Sequence, residues 1–367
     1  MRHREIGKDA GMSDLFPQSA VFGSLLRDPD IRDLLSDASF TRRMLEFERA
    51  WTEALLATDL VDPETADRAL SVIDSFAPDM GAMGAGTDRD GLPVPALVKQ
   101  LKAAAGDAAD AIHTGATSQD VIDTAIVLSL LDVLELLELR LRRIADQLAD
   151  LSQMHGAAPL MGRTRMQAAN PITVADRLSA WVAPLEKALS RLPALRTELA
   201  RLQYGGAVGD RAGADGKGDA IAASLARTLG LSAAPCWHSD RSAFVSFGHW
   251  LVLVSGALGK IGQDMALMAQ QGVEEVTLKG GGGSSAMPHK QNPVRAEVLV
   301  TLARYVAGQQ GILGGALIHE QERSGSAWTL EWLVLPQMSE ATGTALRHCS
   351  GLLDQVTGLG EATPSDT

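Results

Sequence analysis

Between Gly280 and Pro293 the chain places four glycines, then Ser284, Ser285, Ala286, Met287, Pro288, His289, Lys290, Gln291 and Asn292. Glycine accepts backbone angles that other residues reject, so the run of four reads as a hinge. Two hydroxyls follow, a lysine stands six residues after the first of them, and Pro293 is suited to open a helix. A loop of this kind can close a serine onto a substrate. Lys290 and the amides near the helix start would then stabilise negative charge. The phosphate-binding pattern Gly-x-x-x-x-Gly-Lys-Ser/Thr is absent. A flexible surface linker is the plain alternative.

Three further stretches concentrate groups that bind anions. His113-Thr114-Gly115-Ala116-Thr117-Ser118-Gln119-Asp120 stands where a long helix should begin. A helix N-terminus offers free amides and a partial positive charge, and Thr117 and Ser118 add hydroxyl donors. Thr117, Ser118 or Asp120 could equally serve as a helix cap. Met161–Thr173 carries Arg163, Arg165 and Gln167, side chains that can clamp carboxylates, although a solvated basic turn would also explain Arg165. His319–Trp332 contains Arg323, and its His319-Glu320 pair lacks the second histidine that a zinc site of this type needs.

The run Gly283–Pro293 resembles the loop by which the fumarase/aspartase superfamily is known. The resemblance implies that Ser284 exchanges a proton with a substrate carbon, with Ser285 the weaker candidate. It implies that Lys290 and Asn292 bind the carboxylate beside that carbon, with Met287, His289, Arg295 and Arg323 completing the contacts. His113–Thr124 resembles the first conserved region of the superfamily, in the form closest to its carboxymuconate cycloisomerase branch. His113 becomes a catalytic candidate there, and Thr117 and Ser118 substrate ligands. Met161–Thr173 resembles the second region, in which Arg163, Arg165 and Gln167 would hold carboxylates. Relatives that expel amines or water commonly carry a histidine in this region, where this chain has Arg165 and Ala168. That departure disfavours adenylosuccinate or argininosuccinate lyase activity. It suits a cycloisomerase, whose leaving group in lactone opening is a carboxylate of pKa about 4 that needs little acid help. The implied enzyme uses no metal and no organic cofactor, acts on a small polycarboxylate, and forms a homotetramer whose sites draw the three regions from three subunits. A fumarate-releasing lyase is the second reading, and a non-catalytic scaffold the third.

These motifs need long helices to hold them. Ala116–His155 contains no glycine or proline, and leucines and isoleucines recur in it at helical spacing from Ile126 to Leu151. As one helix it would run about 60 Å, apolar on more than one stripe, so other helices should surround it. A bundle shared between subunits is the expected solution. Further helices are expected over Phe40–Asp59 (capped by Asp37 or Ser39), from Pro63, and over Thr173–Gln203 (kinked or divided at Pro184 and Pro193). Others should cover Lys217–Gly230, Arg241–Gln271 and Pro293–Ile318. Gly81–Pro95 reads as a loop. Trp328 and Trp332, four apart, should pack in a core.

The fold expected is all-α: an N-terminal helical domain over 1–110, a long bundle over 111–350 and a short tail over 351–367. Many relatives carry a further small helical domain after the bundle. The 367 residues suffice for two or three domains. Aromatics at 4% leave a composition that favours helix over sheet. A net charge of −12 argues against nucleic acid and anionic membranes as partners, so cationic charge for an anionic substrate must be local. Cys236 and Cys349, far apart, suggest neither disulfide framework nor metal site, and a cytoplasmic location is expected. Ser242–Gly259 lacks Asp, Glu, Lys and Arg, but its glycines and serines fit a buried core helix better than a membrane span.

Overall fold

The computed structural model describes Ser19, residues 21–280, 282–283 and 291–360. Ser284, Ser285, Met287, His289 and Lys290 lie outside the described residues. The helices in chain order are α1 (Gly23–Leu26), α2 (Pro29–Leu34), α3 (Asp37–Ala57), α4 (Pro63–Ser75), α5 (Met80–Asp90), α6 (Val94–Ala105), α7 (Ser118–His155), α8 (Val174–Ser190), α9 (Leu192–Leu199), α10 (Gly218–Leu229), α11 (Ser242–Met268), α12 (Val294–Gly314) and α13 (Ser326–Leu353). Among the described residues three two-stranded ribbons accompany them. They pair β1 (Pro159–Thr164) with β2 (Gln167–Thr173), β3 (Val276–Leu278) with β6 (Val356–Leu359), and β4 (Gly282–Gly283) with β5 (Gln291–Asn292).

The all-α expectation holds, with local corrections. Helix α3 starts at Asp37, and the cap is Ser36, whose hydroxyl accepts from the Ser39 amide at 3.2 Å. Pro184 sits inside α8, while the chain divides just ahead of Pro193. The expected loop over Gly81–Pro95 is mostly helix. Asp79 caps α5 by accepting from the amides of Gly81 and Ala82, and Gly91 ends it in the left-handed region at φ 76°. Gly86 serves packing: a Cβ there would stand 2.6 Å from Ala96 Cβ on α6. Composition alone cannot separate a packing glycine from a loop glycine.

Helix α7 runs 38 residues, about 55 Å at the usual rise. Its first turns, Gln119–Leu130, are buried on every side within this one chain. Neighbouring helices of the same chain therefore cover these first turns, while further along Leu131 and Leu136 are only half-buried and Leu139 is exposed. Beyond Leu130 a single buried stripe remains, through Val133, Leu137, Leu141, Ile144, Leu148 and Leu151. Helix α13 runs parallel to α7. Trp328, at its start, donates to Asp123 near the start of α7, and Gln147, near the end of α7, donates to Ser350 O and Asp354. Trp328 and Trp332 stack edge to face, 4.8 Å between centroids, as expected of core packing.

Helix α11 runs the same way and α12 the opposite way. Gly262, late in α11, meets the start of α12, where a Cβ would stand 2.6 Å from Ala296 O. Helix α11 is long and apolar enough to cross a membrane, but 61% of its most apolar window is buried against its neighbours. The bundle therefore has two ends. One carries the starts of α7, α11 and α13. The other carries the end of α7, the β1–β2 hairpin and the β3–β6 ribbon.

Candidate active site

The first motif caps α7. The Thr117 amide donates to Asp120 Oδ2 at 3.0 Å, and half-exposed Thr117 and Ser118 stand at the helix start. Asp120 does more than close a cap. Buried, it also accepts from the amides of Gly205 (2.8 Å) and Gly206 (3.1 Å) and pairs with His238 Nε2 at 3.0 Å. This ties the glycine loop 205–209 to the helix start. Burial disfavours the His238 imidazolium, but the Asp120 hydrogen bond and charge, with Cys236, outweigh it and raise its pKa to about 9.

One turn further, Asp123 is the centre of a buried network. It accepts from Arg241 Nη1 (2.6 Å) and Nη2 (3.0 Å), Trp328 Nε1 (2.8 Å), Gln119 Nε2 (3.0 Å) and Gln203 Nε2 (3.2 Å). The other side of the Arg241 guanidinium meets Glu331, at 2.8 and 2.6 Å. One cation thus serves two buried carboxyls, and they separate. Burial opposes ionisation of Asp123, but Arg241 and the neutral donors overcome it and hold its pKa down. Burial pushes Glu331 up to about 7 against the pull of Arg241.

His113 lies just ahead of the cap with φ at +59°, uncommon for a residue with a side chain. Its Nδ1 meets Glu48 Oε1 of α3 at 2.6 Å. Burial lowers the stability of the charged ring, yet Glu48, with Asp120, more than compensates and raises its pKa. Arg323 belongs to the same end, donating to Ala207 O at 3.0 Å. It braces the glycine loop through backbone contacts.

The second motif sits at the far end of α7, forms the β1–β2 hairpin and leads into a helix, since its last residue, Thr173, caps α8 by accepting from the Asp176 amide at 3.2 Å. Arg165 and Met166 make its two-residue tip, both with positive φ, and Arg165, Met166 and Gln167 are exposed. Arg163 Nη2 donates to buried Glu275 at 3.0 Å, and no other described residue bonds the rest of its fork.

The third motif is anchored close by. Gly282–Gly283 pair with Gln291–Asn292, and Gln355 Nε2 donates to Gly280 O at 3.0 Å, so the base of the loop is tied to the end of the bundle. Asn292 is half-buried at this base. Arg295, in the first turn of α12, packs against Gly351 of α13 and comes within 3.4 Å of His348 Nδ1.

The structure thus brings His113, Thr117, Ser118 and Arg323 to one end. It places Arg163, Arg165, Gln167, Asn292 and Arg295 at the other, a helix length of about 55 Å away. Glu48, His238, Arg241 and Glu331 were not foreseen. Asp120 and Asp123 gave a signal, as acids beside Val121 and Ile122 just ahead of the apolar run of the long helix. Their charged partners, His238 and Arg241, each lie 118 residues away in sequence, with nothing local to mark them.

Residues 32–308 match the protein family described as lyase. A 3-carboxy-cis,cis-muconate cycloisomerase of Pseudomonas aeruginosa is 38% identical, covering 94% of this chain and 76% of that protein. A nitrosuccinate lyase of Streptomyces davaonensis is 34% identical, covering 88% of this chain and 71% of its own. Among solved structures, the 3-carboxy-cis,cis-muconate lactonizing enzyme of Pseudomonas putida matches with a TM-score of 0.86 at 34% identity, over 92% of this chain and 77% of that one.

Proposed function

This chain belongs to the lyase family of the fumarase/aspartase superfamily, and on that premise we propose that it is a 3-carboxy-cis,cis-muconate cycloisomerase. The observation that carries the reading is the likeness to the Pseudomonas aeruginosa cycloisomerase across more than nine-tenths of the chain. In the reaction, one substrate carboxylate adds across a conjugated double bond, a C–O bond forms, and a proton is delivered to the neighbouring carbon, giving 4-carboxymuconolactone. This is a step suited to protocatechuate breakdown.

The nucleophile is already an anion, so the enzyme must hold it in place, stabilise the aci-carboxylate and supply one proton. Ser284 delivers the proton. Lys290 and Asn292 hold the carboxylate beside the protonated carbon, with Ser285, Met287 and His289 on the same loop. Arg163, Arg165, Gln167 and Arg295 meet the other carboxylates, and His113, Thr117, Ser118 and Arg323 complete the site. Such a site needs more than one chain, because its parts lie at opposite ends of α7. A soluble cytoplasmic homotetramer with shared sites fits that geometry, and exposed Leu139 and Leu333 on the bundle offer apolar surface for it.

Loss of the diene absorbance of 3-carboxy-cis,cis-muconate tests the reading, with Ser284→Ala expected to abolish it. Full activity in that variant would remove the serine from its role. The likeness to the nitrosuccinate lyase favours a fumarate-releasing lyase as the second reading. Fumarate from nitrosuccinate or adenylosuccinate, with the muconate untouched, would install it.

A further inference from the structure

Glu48 is wholly buried, and its Oε1 lies 2.6 Å from His113 Nδ1. Its second oxygen makes no hydrogen bond among the described residues. A buried carboxylate bonded through one oxygen is a costly way to pack a helix, and an apolar side chain of that size would serve packing better. The surroundings show that α3 is built to hold His113. One turn after Glu48, Thr52 Oγ1 donates to Ala111 O at 2.9 Å and fixes the backbone that leads into His113. Trp51, between them, reaches within 3.8 Å of where a Cβ on Gly115 would stand. The His113 backbone is held in the left-handed region, and a residue kept there by its neighbours is a common mark of a working site.

With Nδ1 engaged by a carboxylate, that nitrogen carries a proton, and only Nε2 is left to meet a ligand. No described residue bonds Nε2, and 15% of the side chain remains open. A neutral ring in this tautomer would present a lone pair at Nε2 and repel a carboxylate. A protonated ring presents an N–H and a positive charge. The groups facing the ring are Glu48 from α3 and Asp120 from α7, which favour the charged form, and Lys102 from α6, which opposes it.

We infer that Glu48 is a positioning residue: its carboxylate fixes the His113 ring and keeps it a cationic donor, so that Nε2–H binds a carboxylate of the substrate. This deepens the proposed reaction and rests on that reading for the identity of the substrate. It assigns Glu48 a part that no motif in the sequence gave it.

The test uses the full-length protein with Glu48→Gln, His113→Gln and the double variant. Ring NMR of the histidines in the free protein, assigned by the signal lost in His113→Gln, should show His113 titrating above its ordinary value, and titrating lower in Glu48→Gln than in the wild type. At pH 7 the KM for 3-carboxy-cis,cis-muconate should rise about tenfold in Glu48→Gln, as for loss of one charge-assisted hydrogen bond, with kcat within about twofold. Adding Glu48→Gln to His113→Gln should cost nothing more. An unchanged His113 titration, or an equal rise in KM in the His113→Gln background, would overturn the inference, the latter by making Glu48 merely structural. Should the wild type leave the muconate unconverted, the proposed function falls by itself. The NMR titration, with propane-1,2,3-tricarboxylate as the anion probe for binding, still decides the role of Glu48.

Discussion

Replacing Asp123 with asparagine keeps the shape of the side chain and removes its charge, which isolates what the buried network contributes. Oδ1 accepts from Trp328 Nε1 and Arg241 Nη2, while Oδ2 accepts from Arg241 Nη1, Gln119 Nε2 and Gln203 Nε2. An asparagine can satisfy one of these sets. Its NH2 must face the other, so at least two buried donors lose an acceptor whichever way the amide turns. Arg241, itself wholly buried, is left with Glu331, which burial already pushes toward the neutral acid. Unmet buried donors cost about 1–3 kcal/mol each and a broken buried ion pair about 3–5 kcal/mol. These are two views of one loss, so the expected destabilisation is about 3–5 kcal/mol. Urea unfolding at neutral pH and fixed protein concentration measures it, with concentration held because assembly would add its own stabilisation. Since Asp123 is held below its usual range, its contribution is present above about pH 4 and lost as the pH falls further, so the gap between wild type and variant should close in acid. A loss under about 1 kcal/mol at neutral pH would show that the network is solvated or rearranges freely, and would refute the reasoning.

Other expectations follow from the same geometry. The His238 pKa is raised to about 9, so its stabilising charge is complete below about pH 6.5 and lost as the pH climbs through 9. Melting temperatures of His238→Gln should accordingly lack the decline that the wild type shows across that window. Glu331 behaves in the opposite sense to an ordinary paired carboxylate. With its pKa raised to about 7, the folded state holds a proton that the unfolded chain releases near 4.5, so this residue makes stability fall as pH rises between those values. Glu331→Gln should flatten that part of the stability profile, and an unchanged slope would place the proton elsewhere. Gly262→Ala would set a methyl 2.6 Å from Ala296 O, a backbone atom with little room to yield. Despite the better helix propensity of alanine, a net loss of about 1–2 kcal/mol is expected in the same urea assay.

The sequence by itself determined the helical class, most of the long helices and the identity of the motifs. A glycine- and proline-free stretch such as Ala116–His155 has only one regular structure that suits it, and that signal is local. The arginines, serines and lysine of the motifs were legible for the same reason, since their types and spacings lie within single short segments. Where a residue had two meanings the sequence went astray: the glycines of Gly81–Pro95 read as a loop, and only its close approach to Ala96 shows that Gly86 is a packing residue within a helix. Tertiary structure alone decided the partners of the buried charges. Asp120 meets His238, Asp123 meets Arg241, and Glu48 meets His113 across separations of 118, 118 and 65 residues. Such pairs are set by how helices run past one another in the bundle, which no local pattern records. The same packing sends the first motif to one end of α7 and the second, with the base of the third, to the other. That is why each motif can be read within its own short segment, while its place in the bundle is decided only by the fold.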